Sequence, residues 1–361
     1  MSIPFQITRS TQRKSDTDRE AMLANPGFGQ YFTDHMVAID WDSEQGWHNA
    51  QVRAYGPLSL DPAAAVLHYA QEIFEGLKAF RHGDGSIWAF RPEANGDRLR
   101  RSARRLALPE LPTEAFVDSI RALAKADAVW VPSGSEASLY LRPFMIANEN
   151  FLGVRPAKKV AYYVIASPAG AYFKGGVKPV AIWLTREYSR AGHGGTGAAK
   201  CGGNYASSLI AQKEAVENGC SQVLFLDSQE MRYLEELGGM NVFLVQRDGS
   251  VLTPELTGSI LEGITRLSVI QLLRDRGITV TERRIEVQEW IDGINSGQIT
   301  ETFACGTAAS ISPIGVLKGK DFSAGDINAP AGELTMSIRK ELTDIQYGRQ
   351  PDRHGWLTRL V

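Results

Sequence analysis

The sequence has few cysteines and no long apolar run. Its three cysteines, Cys201, Cys220 and Cys305, are odd in number and lack the spacing of a zinc site. They indicate reduced thiols in the cytoplasm rather than a secreted disulfide scaffold, and no metal site is expected. No apolar stretch is long enough to span a bilayer. The opening stretch, "MSIPFQITRSTQRKSDTDRE", lacks the apolar segment of a secretory signal. We therefore expect a cytoplasmic protein without a membrane partner.

An excess of charge of one sign is also missing. The chain has 39 lysines and arginines against 41 aspartates and glutamates, a formal net charge of -2. This balance argues against a nucleic-acid partner, although "GDRLRRSARR" (96–105) carries five arginines. The motif G-x-x-x-x-G-K-[ST] is absent, and no G-x-G-x-x-G follows a strand pattern. Small-molecule partners remain as the expectation.

Local patterns predict both hairpins and helices. The runs "LKAFRHGDGSIWAFR" (77–91) and "MNVFLVQRDGSVLTP" (240–254) each place a Gly-containing turn between two strand-like flanks. The run "NYASSLIAQKEAVENG" (204–219) predicts a helix that ends at Gly219, and "GITRLSVIQLLRDRG" (263–277) predicts one that ends at Gly277.

These elements do not alternate strictly, which indicates an α+β (mixed α/β) fold of two domains. The segment "SPAGAYFKGGVKP" has two prolines and three glycines. We interpret it as a linker at 167–179, between a smaller N-terminal domain at 1–166 and a larger C-terminal domain at 180–361.

One lysine, Lys200, lies among the glycines of "GTGAAKCGGNYASS" (195–208). A lysine in a flexible surface turn is one interpretation. The other is a lysine that bonds covalently to a carbonyl, because desolvation or nearby positive charge makes an amine nucleophilic near neutral pH. The glycines would let the backbone and a flat cofactor approach closely. Tyr205 would then hydrogen-bond the same group.

Adjacent carboxylates occur in "YLEELGGMN" (233–241). Side chains alternate along a strand, so we expect only one of Glu235 and Glu236 to point inward. A buried glutamate needs a partner, and a protonated ring nitrogen is one candidate. A solvated acidic surface is the alternative.

Three further features are typical of phosphate binding. Ile264 and Thr265 follow the glycine that opens a predicted helix, where N–H groups and the helix dipole attract anions. Thr307 lies in a Gly-Thr-Ala turn, and Arg98 can bind a phosphate with two hydrogen bonds. With a reactive lysine and a carboxylate, these features suggest pyridoxal 5'-phosphate. A mononucleotide is the main competing ligand.

The combined motifs resemble the branched-chain amino-acid aminotransferases, a family of fold-type IV pyridoxal-phosphate enzymes related in fold to D-amino-acid aminotransferase. The resemblance covers nearly the whole chain, and its motifs are "FEGLKAF" (74–80), "LYLRPF" (139–144), "SPAGAYF" (167–173), "GGTGAAKCGGNYASSL" (194–209), "ELGGMNVF" (236–243), "LEGITR" (261–266) and "CGTAASISPIG" (305–315).

The resemblance implies a set of cofactor contacts. Lys200 matches the lysine that bonds to the cofactor aldehyde and moves the substrate proton. Tyr205 matches the residue at the phenolic oxygen, and Glu236, rather than Glu235, matches the carboxylate at the ring nitrogen. The implied phosphate ligands are Arg98, Ile264, Thr265 and Thr307.

The substrate contacts are implied in the same way. Tyr140 and Arg142 match the pair that binds the side-chain carboxylate of glutamate, and the Thr307–Ala308 turn matches the site of the α-carboxylate. The implied walls of the apolar pocket are Tyr69, Phe74, Tyr172, Tyr205 and, from the second subunit of a homodimer, Val154. Core packing is the alternative for the aromatic residues and for Val154.

We therefore predict an enzyme that exchanges the amino group of L-leucine, L-isoleucine or L-valine with 2-oxoglutarate. Two alternatives within the fold are a D-amino-acid aminotransferase and an aminodeoxychorismate lyase. A third, of another class, is a non-catalytic regulator that binds the cofactor. The intact Lys200, Tyr205 and Glu236 argue against the regulator.

Overall fold

The computed structural model describes residues 3–134, 136–171 and 176–361, and the chain divides into two compact units. Unit 1 comprises Met1–Tyr172, Ala199–Gly202 and Asp344–Val361, and unit 2 comprises Phe173–Ala198 and Gly203–Thr343. The predicted linker includes 172–175, which lie outside the described residues. The predicted domain boundaries therefore stay a prediction.

Helices and strands mix along the whole chain. The helices among the described residues are α1 (Asp16–Ala24), α2 (Ala65–Tyr69), α3 (Pro92–Arg105), α4 (Thr113–Ala126), α5 (Gly202–Ala206), α6 (Leu209–Glu217), α7 (Ile264–Asp275), α8 (Val287–Ser296) and α9 (Glu333–Gln346). The strands there are β1 (Gln6–Ile7), β2 (His35–Asp42), β3 (Gly46–Ala54), β4 (Glu72–Phe74), β5 (Leu77–Arg81), β6 (Ile87–Phe90), β7 (Ser138–Ala147), β8 (Lys159–Ala169), β9 (Val180–Leu184), β10 (Gln222–Leu226), β11 (Leu234–Leu237), β12 (Asn241–Gln246), β13 (Val251–Pro254), β14 (Val280–Arg283), β15 (Ile299–Gly306), β16 (Ser310–Gly319), β17 (Phe322–Gly325) and β18 (Leu357–Arg359). No helix among the described residues has the length and hydropathy needed to cross a membrane.

Unit 1 is built on a sheet in the order β1-β3-β2-β8-β7-β5-β6-β18, with β4 paired to β7. Its neighbouring strands are antiparallel except for β1 and β3. Helix α4 carries apolar residues at helical spacing, Phe116, Ile120 and Leu123, and these pack into the buried core with the strands. The strands β5 and β6 form the predicted hairpin.

Unit 2 is built on a mixed sheet in the order β11-β10-β9-β16-β15-β12-β13-β14, with β17 paired to β16. Trp290 of α8 belongs to one buried apolar cluster, and Ala211 and Ala215 of α6 belong to another with Val223 and Phe225. The strands β12 and β13 form the second predicted hairpin, whose turn holds Gly249 at φ +84°. Covered strands of this kind explain the continuous apolar runs in the sequence.

Two predicted helices differ in outcome. Helix α7 begins after Gly263 and ends before Gly277, whose φ of +75° is the left-handed conformation that stops a helix, so this prediction is confirmed. The predicted helix at 204–219 is wrong in one respect, because it is interrupted between α5 and α6. There the Ser208 hydroxyl donates to the Tyr205 carbonyl at 2.7 Å. Serine hydroxyls that bind nearby carbonyls compete with regular helix structure.

A buried histidine–aspartate pair fixes the start of β2 in unit 1. The His35 and Asp127 side chains are each about 1% exposed, and His35 Nδ1 lies 2.6 Å from Asp127 Oδ1. The His35 backbone N–H donates to Asp127 Oδ2 at 3.0 Å, and the Ser10 N–H donates to His35 Nε2 at 2.9 Å. Because Nε2 accepts a hydrogen bond, the ring proton is on Nδ1, and this N–H group donates a hydrogen bond to the Asp127 carboxylate.

Replacing Asp127 with alanine should destabilise unit 1 strongly. The substitution leaves two buried donors of His35 without an acceptor, which costs about 3 kcal/mol in the free energy of unfolding. Urea unfolding followed by circular dichroism measures the loss. Asp321→Ala, at an exposed turn position, is the matched control and should change stability by less than about 0.5 kcal/mol. Equal effects of the two variants would contradict the role assigned to the buried pair.

Candidate active site

The backbone around Lys200 is fixed by hydrogen bonds within unit 1. The Phe74 N–H donates to the Lys200 carbonyl at 2.9 Å, and the Lys200 N–H donates to Ser102 Oγ at 2.9 Å. Two residues later, the Gly202 N–H donates to the Glu72 carboxylate. A Cβ at position 202 would overlap that carboxylate, so glycine permits the close approach. Hydrogen bonds therefore fix the backbone at Lys200, which differs from the flexible surface turn considered above.

A buried carboxylate lies next to the lysine. Glu75 is fully buried, and Arg98 donates to it through Nε and Nη2, each at 2.8 Å. Asn95 adds a third hydrogen bond at 2.8 Å. Burial alone would raise the pKa of Glu75, but the charge and hydrogen bonds of Arg98 and the charge of Lys200 outweigh it and hold the pKa below its usual value. Glu75 is therefore an anion between two cations.

This pairing bears on the predicted phosphate ligand Arg98. One edge of its guanidinium group, Nε and Nη2, is engaged by Glu75. No role was predicted for Glu75, which stands between Phe74 and Gly76 in "FEGLKAF". Its signal was a charged residue between two apolar runs, since such a residue is buried only when paired.

Tyr140 and Arg142 lie near the same lysine. Arg142 Nη2 donates to the Tyr140 hydroxyl at 3.0 Å, and its guanidinium carbon lies 4.8 Å from the centre of the Phe74 ring. Lys200 Nζ also lies 4.8 Å from that centre. A Cβ at Gly76 would overlap the Tyr140 hydroxyl, so glycine is required there. We call the residues gathered here the lysine cluster: Phe74, Glu75, Arg98, Tyr140, Arg142 and Lys200.

Arg142 has one buried donor without a hydrogen-bond partner among the described residues. This donor is its Nε. Buried donors nearly always have partners, so an orphaned one indicates a site for an acceptor such as a carboxylate.

Two predicted pocket residues form a separate exposed surface of unit 1. The Tyr69 hydroxyl donates to the Leu152 carbonyl, which brings the end of α2 against the loop that carries Val154. Val154 is 88% exposed and Leu152 is 67% exposed. Tyr172, another of the five predicted wall residues, lies outside the described residues.

In unit 2, Glu236 is held by two donors on one oxygen. Its side chain is 2% exposed, and Arg190 Nη1 lies 2.8 Å from its Oε1. The Leu261 N–H donates to the same oxygen at 2.9 Å. Arg190 was not among the predicted site residues. Its signal was a single arginine ten residues before Lys200, at the start of the glycine-rich stretch.

The expectation that only one of the paired glutamates points inward is wrong. Glu235 is 5% exposed and Glu236 is 2% exposed, because residues on both sides cover β11. Glu235 accepts a hydrogen bond from the Ser259 hydroxyl. Burial raises the pKa of Glu235 to about 7, the Ser259 bond opposes this, and the charge of Glu236 adds to it. Burial therefore shifts Glu235 toward its protonated, uncharged form.

One predicted phosphate feature of unit 2 follows closely in sequence on Leu261, the residue whose N–H donates to Glu236. Helix α7 starts at Ile264 and Thr265, three residues after Leu261, and no side chain caps its N-terminus. Thr307 and Ala308 lie in the turn between β15 and β16.

Tyr205 completes this group. The Arg190 guanidinium carbon lies 5.9 Å from the centre of its ring. A Cβ at Gly239 would lie 3.8 Å from the same ring, and one at Gly306 would lie 3.4 Å from the Gly239 carbonyl. We call the residues gathered in unit 2 the glutamate cluster: Arg190, Tyr205, Glu236, Ile264, Thr265 and Thr307.

The chain as a whole can be compared with known proteins. The sequence pattern of amino-transferase class IV matches residues 72–316, about two thirds of the chain. The chain belongs to the class IV aminotransferases. This confirms the family predicted from the sequence motifs.

Close relatives of this class IV aminotransferase match over nearly their whole length. A branched-chain-amino-acid aminotransferase of Mycolicibacterium smegmatis is 58% identical, over 99% of this chain and 98% of the relative. That of Mycobacterium tuberculosis is 56% identical, over 99% of both chains. Branched-chain-amino-acid aminotransferase 2 of Bacillus subtilis is 44% identical, over 98% of both.

Solved structures share the fold. The branched-chain amino acid aminotransferase of Escherichia coli superposes with a TM-score of 0.74 at 26% identity, over 90% of this chain and 99% of that one. A second branched-chain amino acid aminotransferase, solved with pyridoxamine 5'-phosphate, gives a TM-score of 0.75 at 27% identity with the same coverage. The predicted α+β class and fold type are confirmed.

Glu235 should make this class IV aminotransferase lose stability as the pH rises from about 4.5 to about 7. Its folded-state pKa lies above the value of 4.5 for an unperturbed glutamate, so the folded state binds more protons in this window. Glu235→Gln should remove this contribution, and urea midpoints measured between pH 4 and 8 should then fall less steeply. Glu217→Gln, at an exposed site on α6, is the control. Parallel profiles for wild type and Glu235→Gln would contradict the assignment.

Proposed function

We propose that this class IV aminotransferase transfers the amino group of L-leucine, L-isoleucine or L-valine to 2-oxoglutarate, giving a branched-chain 2-oxo acid and L-glutamate. The observation that carries the proposal is the full-length identity of 56–58% to enzymes named for this activity. The pairing of an aromatic ring, Phe74, with a single arginine, Arg142, supports it, because one pocket must accept an apolar side chain and a carboxylate in turn.

The cofactor of the family is pyridoxal 5'-phosphate. Solved relatives contain pyridoxamine 5'-phosphate and N-(5'-phosphopyridoxyl)-L-glutamate. The present residues fit such a group, since the α7 N-terminus has no side-chain cap and a buried carboxylate, Glu236, matches a protonated ring nitrogen. When bound, the cofactor supplies an aldehyde that receives the amino group and a ring that accepts electron density.

Each residue of the chain has a proposed role toward that cofactor. Lys200 Nζ holds the cofactor and moves the proton removed from the substrate Cα. Glu236 keeps the proton on the ring nitrogen, and Tyr205 donates to the phenolic oxygen. The proposed phosphate ligands are Arg98, Ile264, Thr265 and Thr307.

The substrate roles follow the chemistry of the two half-reactions. Arg142, oriented by Tyr140, binds the side-chain carboxylate of glutamate, for which its buried Nε is a suitable donor. The Thr307–Ala308 turn offers backbone N–H groups to the α-carboxylate. The proposed apolar walls are Tyr69, Phe74, Val154, Tyr172 and Tyr205.

The alternatives within the fold are not favoured. The relatives described above carry the branched-chain name and match this chain from end to end rather than over one unit. An aminodeoxychorismate lyase is therefore set aside, and a D-amino-acid aminotransferase is kept only as an outcome of the experiment below.

We further propose that the enzyme is a cytoplasmic homodimer. The exposed side chains of Leu152 and Val154 support a dimer, because apolar residues exposed next to each other are typical of an interface. The three cysteines are all buried and unpaired, as in proteins of reducing compartments.

Absorption spectra of the purified holoenzyme test the activity. A visible cofactor band should bleach with L-leucine and return with 2-oxoglutarate. Lys200→Ala should lower kcat at least about 10²–10⁴-fold, the share supplied by proton transfer, whereas the exposed Lys213→Ala should leave it unchanged. Bleaching by D-alanine and not by L-leucine would indicate a D-amino-acid aminotransferase instead. Turnover by Lys200→Ala near the wild-type rate would contradict the role of the lysine.

The dimer has its own test. Val154→Asp should weaken self-association at least about tenfold, because a carboxylate would be desolvated at the interface. Sedimentation velocity across a dilution series measures the dissociation constant. Val129→Asp, at another exposed valine of unit 1, is the matched control. An unchanged dimer in Val154→Asp would place the interface elsewhere.

A further inference from the structure

Arg190 is a buried arginine that the proposed mechanism does not use. Its side chain is 1% exposed, and Nη1 lies 2.8 Å from Glu236 Oε1. Among the described residues its Nε and Nη2 lack hydrogen-bond partners. Burying an arginine in this way is costly, so the ion pair to Glu236 is its principal compensation.

The Arg190 guanidinium group also contacts two backbone segments of unit 2, at Gly197 and at Ser259. Nη1 lies 3.4 Å from the Gly197 carbonyl and 3.2 Å from the Ser259 carbonyl. A Cβ at Gly197 would overlap the Ser259 carbonyl, so the two segments touch. The Arg190 backbone is itself fixed, because the Ser207 hydroxyl donates to its carbonyl at 2.7 Å.

We infer that Arg190 is the positioning residue that orients the Glu236 carboxylate and keeps it ionised for the ring nitrogen of the cofactor. The inference rests on the proposed function, in which Glu236 faces that nitrogen. Arg190 acts through Glu236 and makes no contact with substrate in this role.

Two physical arguments support the inference. First, burial disfavours the charged form of a carboxylate, as the raised pKa of the neighbouring Glu235 shows, and a neutral Glu236 would no longer stabilise a protonated ring nitrogen. Second, Arg190 and the Leu261 N–H both hold Oε1, and two donors on one oxygen fix the direction of the carboxylate. Loss of a partner behind a site residue typically weakens binding about 10- to 100-fold.

Pyridoxamine 5'-phosphate is the suitable probe, because it cannot bond covalently to Lys200. Its dissociation constant from the full-length apoprotein is measured by quenching of tryptophan fluorescence. The matched probe is its 1-deaza analogue, in which a C–H group replaces the ring nitrogen. The two probes differ at the one atom that Glu236 is proposed to contact, and the readout does not depend on turnover.

Arg190→Met should weaken binding of pyridoxamine 5'-phosphate about 10- to 100-fold and change binding of the 1-deaza analogue less than about threefold. Glu236→Gln should show the same selectivity. In the double variant the two losses should not add, because Arg190 acts through Glu236. Arg186→Met, at an exposed arginine of the same segment, is the control and should bind both probes as the wild type does.

Three results would overturn the inference. Equal weakening of both probes by Arg190→Met would show that Arg190 only holds the backbone segments together. Additive losses in the double variant would show that it does not act through Glu236. An unselective Glu236→Gln would show that Glu236 does not face the ring nitrogen, and this part of the proposed function would fail as well, whereas the spectral test of Lys200 would stand.

If Arg190→Met does not fold, Arg190→Lys replaces it in the same cycle. Lysine keeps the positive charge but cannot bridge several acceptors with a planar fork. It should therefore give a smaller weakening that is still selective for pyridoxamine 5'-phosphate, and loss of that selectivity would overturn the inference.

Discussion

The cost of burying a carboxylate governs both clusters. Unit 1 buries Glu75, and unit 2 buries Glu235 and Glu236. Each carboxylate is compensated in a different way. Glu75 accepts hydrogen bonds from Arg98 and Asn95, and Glu236 is bound by Arg190 and a backbone N–H. Glu235 accepts a hydrogen bond from a serine hydroxyl and has a raised pKa. Because an unpaired buried charge is so unfavourable, each solution dictates the placement of its partners.

Three glycines lie where the side chain of any other residue would overlap a polar group. Gly76 admits the Tyr140 hydroxyl, Gly202 admits the Glu72 carboxylate and Gly197 admits the Ser259 carbonyl. In each case a Cβ would overlap an oxygen atom. In the glycine-rich stretch around Lys200, Gly197 and Gly202 therefore serve the close approach of polar groups rather than flexibility.

Structure was predictable from the sequence where local chemistry decides it. The two hairpins and the stop of α7 at Gly277 follow from turn residues and helix termination. In the candidate site, short and distinctive motifs predicted roles for Lys200 and Glu236, which stay predictions, whereas no role was predicted for Glu75 or Arg190. Arg190 is 46 residues from Glu236 in the sequence, and Glu75 is 23 residues from its arginine partner. Pairing over such separations depends on the tertiary fold, and a single sequence contains no pattern that reports it.

In the proposed function, one arginine in an aromatic setting would let a single pocket accept an apolar side chain and a carboxylate in turn. Arg142 lies against the Phe74 ring and donates to the Tyr140 hydroxyl, so its orientation is set before any substrate arrives. A carboxylate competitor is present, because Glu72 interacts electrostatically with Arg142. Burial raises the pKa of Glu72, although the Gly202 hydrogen bond and the Arg142 charge oppose the shift. The Gly202 N–H donates to Glu72 as well, and the buried Nε of Arg142 has no hydrogen-bond partner among the described residues, so this donor is available to the carboxylate of a proposed substrate.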